Sequence, residues 1–213
     1  LGNFGTMLKE VSQTAAMLNF LNNQQNRKDH PNENFAREVM ELFTLGRGNY
    51  TENDIKEAAR AFTGWSANMK GEFVFRRFQH DFGSKTVLGR TGNFDGGEVL
   101  DILLQEKQTA RYITQKIYRF FVNEKPDNEK IDWLADRFFK NNYEIAPLME
   151  DIFTSDWFYE DKNIGALIKS PVELMVGIQR MLPMKLESED SLILLQRVLG
   201  QQLFYPPNVA GWP

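Results

Sequence analysis

The chain has no cysteine, which excludes disulfides, thiolate nucleophiles and cysteine-ligated metals together. Its two histidines, His30 in a polar loop before Pro31 and His80, do not form H-E-x-x-H or a related spacing, so zinc is not expected and neither is any other cofactor. A hard ion held by Asp, Glu and Asn oxygens stays open, although the ligand spacing of an EF-hand is missing. So are the G-x-S-x-G elbow, the G-x-x-x-x-G-K-[ST] loop and the G-x-G-x-x-G fingerprint, which leaves serine hydrolase, phosphate-loop and dinucleotide chemistry unsupported. No run of about 18 apolar residues occurs, and no membrane span is expected. Positive charge is also short: a net charge of −4 argues against a nucleic-acid partner, because phosphate binding needs a strong basic face. The local cluster Lys70, Arg76, Arg77 is too small to reverse that.

What the sequence does have is apolar and aromatic material. A hydrophobic fraction of 42%, with 17 Phe, 6 Tyr and 4 Trp in 213 residues, suffices for a sizeable core, and length favours one helical domain over residues 1–213. No basic patch followed by an apolar stretch opens the chain, so no signal peptide is visible.

The pattern is mostly α-helical. Met7, Leu8, Val11, Ala15 and Leu18 keep helical spacing from Phe4 to Leu21. Asn34 to Gly46 is amphipathic, with Phe35, Val39, Leu42 and Phe43 on one side and Asn34, Arg37, Glu38 and Glu41 on the other. Thr51 stands three before Asp54, and Asp95 three before Glu98, each a capping-box spacing that opens a helix. Further helices start at Thr109, Asn128 and Pro147, and at Ser170-Pro171-Val172-Glu173; a last one runs from about Glu189 to Leu199 before Gly200. Only Glu72 to Phe78 reads as strand, which predicts one small hairpin at most within a loop-rich insertion from Ser66 to Gly97.

Three constellations could carry chemistry. Glu38 and Glu41 are one helical turn apart, close enough to share a cation or raise one carboxyl's pKa for acid/base work; the competing reading is a solvated face laced by the i, i+4 pairs Glu33–Arg37 and Arg37–Glu41. His80-Asp81-Phe82-Gly83-Ser84-Lys85 gathers an imidazole, a carboxylate and an ammonium, so that His80 could act as a base; alternatively Asp81 caps a turn and His80 faces water. The Pro- and aromatic-rich stretch from Gln202 to Pro213, with Asn208 and Trp212, could join Trp65 in stacking on a sugar or peptide, or could strap a helical core.

Read together, NENFAREVMELFTLGRGNYTENDIKEAARAFTGW, HDFGSKTVLG, KSPVEL and LGQQLFYPPNVAGWP resemble the bacterial domain-of-unknown-function 1800 family, and the opening LGNFGTMLKEVSQTAAMLNFLNN is similar to it too. The matching positions include Asn34, Arg37, Glu38, Glu41, Trp65, His80, Asp81, Lys85, Asn208 and Trp212. Phe43 stands where many relatives have histidine, so no imidazole role carries over there. The resemblance implies the C-terminal part of a longer protein, exported to the periplasm or cell surface, with no established reaction. Two functions then compete: a non-catalytic helical module that binds an exported protein partner or a polysaccharide, and a hydrolase-like enzyme acting on a surface polymer. In the second, Glu38 or Glu41 supplies acid/base chemistry with His80 assisting, and Arg37 positions an anionic group.

Overall fold

A computed structural model describes residues 2–182 and 190–212, about 54% of the chain being helical. Leu1–Asp161 and Lys162–Pro213 each form a compact unit.

In the first unit, helix α1 (Phe4–Ser12) is capped by Asn3, whose Oδ1 accepts from the Thr6 N–H at 3.0 Å. The periodicity that reads as one helix through Leu21 is interrupted. The Thr14 hydroxyl donates to Val11 O (2.8 Å) and accepts from Met17 N–H (3.3 Å), ending α1 and starting α2 (Ala15–Phe20). A threonine that bonds its own backbone in this way competes with the helical ladder. Helix α3 (Asn34–Glu41) is shorter than its amphipathic pattern. After it the chain turns: the Thr44 hydroxyl donates back to Val39 O (2.8 Å), and Gly46 takes φ +79°, which ends the segment. Helix α4 (Glu52–Ala61) starts at the Thr51/Asp54 capping box and α5 (Gly96–Gln105) at the Asp95/Glu98 box, both as the spacing predicts.

Helix α6 (Lys107–Phe121) begins before Thr109, which instead donates its hydroxyl to Leu103 O at 2.6 Å and so fastens α6 to α5. Helix α7 (Asn128–Lys140) is capped by Asp127, and α8 (Ile145–Phe153) carries Pro147 in its first turn, where the missing N–H costs nothing. The apolar stripes converge on one core that includes Phe35, Val39, Ile55, Phe62, Leu100, Leu103, Leu134 and Phe138. Phe62 is central, with its ring edge-on to Phe35 (4.9 Å between centroids) and to Trp65 (5.2 Å).

The insertion holds two antiparallel ribbons, one more than the sequence pattern predicts. Strand β1 (Trp65–Ala67) pairs with β2 (Phe73–Phe75), setting Trp65 against Phe75; β3 (Lys85–Val87) pairs with β4 (Arg90–Gly92), setting Lys85 against Gly92. Strands of three residues are too short for alternation to register in a sequence window.

In the second unit, α9 (Pro171–Met181) opens on the Ser170/Glu173 capping box, and α10 (Asp190–Val198) is followed by Gly200 at φ +79°. The expected start of that last helix at Glu189 lies outside the described residues, as does Pro213 of the aromatic tail. Gln side chains tie this unit: Gln201 Oε1 accepts from Val172 N–H (3.0 Å) and Gln196 Oε1 from Leu203 N–H (2.9 Å).

Candidate functional site

The polar face of α3 is half-buried, and most of it is paired. Arg37 grips Glu52 in the first turn of α4 with two bonds, Nη1–Oε1 at 2.9 Å and Nη2–Oε2 at 2.7 Å, and reaches Glu33 at 3.1 Å. This fork geometry joins α3 to the start of α4 and holds the guanidinium pKa above its ordinary value, chiefly through Glu52. Glu41 accepts a very short hydrogen bond from the Tyr50 hydroxyl, with Arg47 at 4.0 Å. Burial, then the bond to Glu41, pushes the Tyr50 phenol up to about 12. Asn34 donates to Leu21 O at 3.1 Å and so anchors the start of α3.

Glu38 differs from these neighbours. Among the described residues its carboxylate has no hydrogen-bond or ion-pair partner, and its pKa is raised first by burial and then by Glu41, against the pull of Arg37.

Helix α6 closes this region with a stripe of Gln108, Tyr112 and Lys116. Gln108 donates to Leu45 O (2.9 Å) and Lys116 to Leu42 O (2.8 Å), which satisfies carbonyls just beyond α3. The Lys116 ammonium sits 4.8 Å from the centre of the Tyr112 ring, and burial lowers its pKa. Burial and the Glu41 charge raise the Tyr112 phenol.

The second constellation forms at the opposite end of α4. Arg60 donates from Nε to Asp81 Oδ2 (2.7 Å), from Nη1 to both Glu57 oxygens (3.0 and 2.9 Å) and to Ser84 O (3.1 Å). Asp81 Oδ1 also takes the Gly83 N–H at 2.7 Å, and Arg60 first, then Gly83, holds its carboxyl below the usual range. Lys85, 1% exposed, donates to Asp81 O (2.6 Å) and Gly83 O (3.0 Å), with Asn93 Oδ1 at 3.4 Å. Desolvation lowers its pKa. His80 does not face water: it is 3% exposed, its Nδ1 lies 2.8 Å from Thr63 O, and its ring sits between Phe75 and Phe82. A close contact to a carbonyl fixes Nδ1 as the protonated nitrogen. Gly64, φ +83°, lets the chain pass here, since a Cβ would lie 2.7 Å from Arg76 O. Trp65 is buried in the core rather than presented as a platform.

Glu38 and Glu41 are thus brought together, as are His80, Asp81 and Lys85, but the two sets are kept apart. Tyr50, which holds Glu41, precedes α4, whereas Thr63, which holds His80, follows it. Ten helical residues between them span about 15 Å, beyond the reach of acid/base partners sharing one reacting group. In the second unit Asn208 closes a turn by accepting the Ala210 N–H at 2.8 Å, and Trp212 is half-exposed. A recess of about 160 Å³ in unit one is lined by Lys107, Arg111, Asp132, Ala135, Asp136 and Phe139, none of them a sequence-predicted candidate. No group of three or more potential metal ligands occurs among the described residues, and no described helix is long and apolar enough to cross a membrane.

Sequence reasoning missed the partners. Arg60, Thr63, Tyr50 and Lys116 carry no motif; Arg60 and Glu57 look like an ordinary i, i+3 surface pair until the insertion folds over them.

The fold and these two clusters define a class: a mostly α-helical protein with a short β-ribbon insertion clamped to one helix by an internal charge network. More narrowly, the chain matches the protein-of-unknown-function DUF1800 family over residues 1–213, and it belongs to that family. No curated protein and no solved structure matches it.

Proposed function

We propose that this chain is a non-catalytic module that binds a protein partner through its second unit. One observation carries the reading. Helix α10 has no buried residue and exposes Ile193, Leu194, Leu195 and Val198, Leu194 being 61% and Val198 72% exposed. The consecutive residues Ile193, Leu194 and Leu195 alone sweep about 200° of the helix circumference at 3.6 residues per turn. A helix apolar over that much of its surface is one that other protein covers. The face is aliphatic, which suits a protein surface better than a polysaccharide, whose hydroxyls need hydrogen-bonding side chains. The internal pairing of Asp81, Lys85 and His80 supports a non-catalytic role for the insertion. An exported, periplasmic or cell-surface setting goes with this reading and rests on family resemblance alone; fractionation of native cells tests it.

The binding test places a photo-cross-linking residue at Leu194 in the full-length protein in native cells, with an exposed polar position, Glu124, as control. The expected result is one defined protein adduct at position 194, absent at 124 and lost in a folded Val198→Asp variant. No adduct, or an adduct only to the same chain, overturns the proposal.

A second reading, a hydrolase-like enzyme acting on a surface polymer, draws on the unpaired, half-buried Glu38 beside Glu41. It predicts polymer hydrolysis that a folded Glu38→Gln variant loses. Hydrolysis unchanged in that variant refutes it.

A further inference from the structure

A different surface, on the first unit, carries charge that the sequence scatters. The turn Arg27–His30 closes on itself through His30 N–H to Arg27 O (2.9 Å). One backbone bond joins this turn directly to the insertion, Lys28 N–H to Gln79 O (2.8 Å), and Gly64 bridges the flanking residues, donating its N–H to Asn26 O (3.2 Å) and accepting from Arg76 N–H (2.7 Å). Arg27 and Lys28 are thereby set beside Arg76 and Arg77, which lie about fifty residues downstream. None of these four cations has a carboxylate partner among the described residues, and Asp29 is the one acidic residue within 27–30 and 76–79. An excess of three positive charges in a chain of net charge −4 is a local reversal of sign.

The residues flanking Arg76 and Arg77 expose aromatic rings. Phe78 is 73% exposed, and Phe75 and Phe82 are exposed on either side of the buried His80. The Arg77 guanidinium lies 5.2 Å from the centre of the Phe82 ring. Stacked in this way, a guanidinium keeps its N–H edge free for a planar, two-bond contact with a carboxylate, while part of its rotamer freedom is already lost.

We propose that this face binds an acidic polysaccharide, the arginines pairing with uronate carboxylates and Phe78 stacking on a sugar ring. Sparse cations interleaved with aromatic rings fit a polymer carrying one charge per sugar. A nucleic-acid duplex, with one charge per about 1.7 Å, calls for a denser basic face than these four cations supply. The proposal is independent of the partner surface on α10, and neither variant below touches that helix.

The test titrates the full-length protein with alginate, a polyuronate, beside neutral dextran and duplex DNA as controls. Binding to alginate alone is expected, weakened at least tenfold by raising salt from about 50 to about 500 mM, because exposed charges are screened within a few ångströms at the higher value. Arg76→Gln/Arg77→Gln is expected to reduce alginate affinity by about tenfold or more, and Phe78→Ser by severalfold, both with unchanged thermal unfolding. Phe78→Ser, at an exposed position, keeps the test decisive if the double variant fails to fold. Failure to bind alginate, equal binding by a folded variant, or equal or tighter binding of DNA each overturns the proposal.

Discussion

Replacing Asp81 with Asn would separate a structural clamp from a functional site. The substitution preserves shape and leaves one carbonyl oxygen, which can still accept the Gly83 N–H. What it removes is the 2.7 Å ion pair to Arg60 Nε, and its amide would present a donor to a donor. The Asp81 side chain is 20% exposed, so little screening by water offsets the loss. A hydrogen bond to a charged group is worth about 1.5–3 kcal/mol. Arg60 would retain both Glu57 oxygens and Ser84 O, so its charge is not orphaned and the lower part of that range, about 1.5–2 kcal/mol, applies. For a chain of this size each kcal/mol moves Tm by about 2–4 °C, giving a fall of about 3–8 °C at pH 7.

The pH dependence follows from the direction of the shift. Arg60 lowers the folded carboxyl below its unfolded value, so the stabilisation is fully present above the unfolded pKa of about 3.9 and is lost as pH falls through the folded one. Thermal unfolding followed by circular dichroism at pH 7 and at about pH 3 measures both terms. A Tm unchanged within about 1 °C at pH 7, or a difference of the same size at both pH values, would refute the clamp.

Glu38→Gln should stabilise the protein at pH 7 by about 0.2–0.5 kcal/mol, the size of a like-charge contact one turn apart on a helix. The folded pKa is raised, so the residue favours folding only below the unfolded value and loses that contribution as pH rises through the folded one; the gain should therefore vanish near pH 3 in urea titrations. A destabilised Glu38→Gln at pH 7 would show that the carboxylate has a structural partner. Gly64→Ala should cost about 1–3 kcal/mol, since φ +83° and the 2.7 Å approach to Arg76 O both oppose a side chain. An unchanged urea midpoint would count against that constraint.

The mostly helical architecture was legible because it rests on local physics. The capping boxes at Thr51, Asp95 and Ser170 appear where their three-residue spacing places them, each being a contact between near neighbours in sequence. The apolar stripe of α3 likewise faces the core, with Phe35, Ala36, Val39 and Met40 buried. Finer detail departs from the pattern: Thr14 divides what periodicity reads as one helix, and the small β insertion holds two three-residue ribbons where the pattern predicts one.

Partners were a different matter. Helical spacing sets Glu38 and Glu41 on one face, and the chain keeps His80, Asp81 and Lys85 within six residues of one another. Folding, by contrast, pairs Arg37 with Glu52 rather than Glu41, brings Glu41 to Tyr50 and encloses His80 against Thr63. It also set Arg27 and Lys28 beside Arg76 and Arg77, and placed the two candidate constellations at opposite ends of α4. Spacing along a helix fixes which side chains share a face. What that face meets is set by packing between elements distant in sequence, and with it whether a charge is paired, exposed or desolvated.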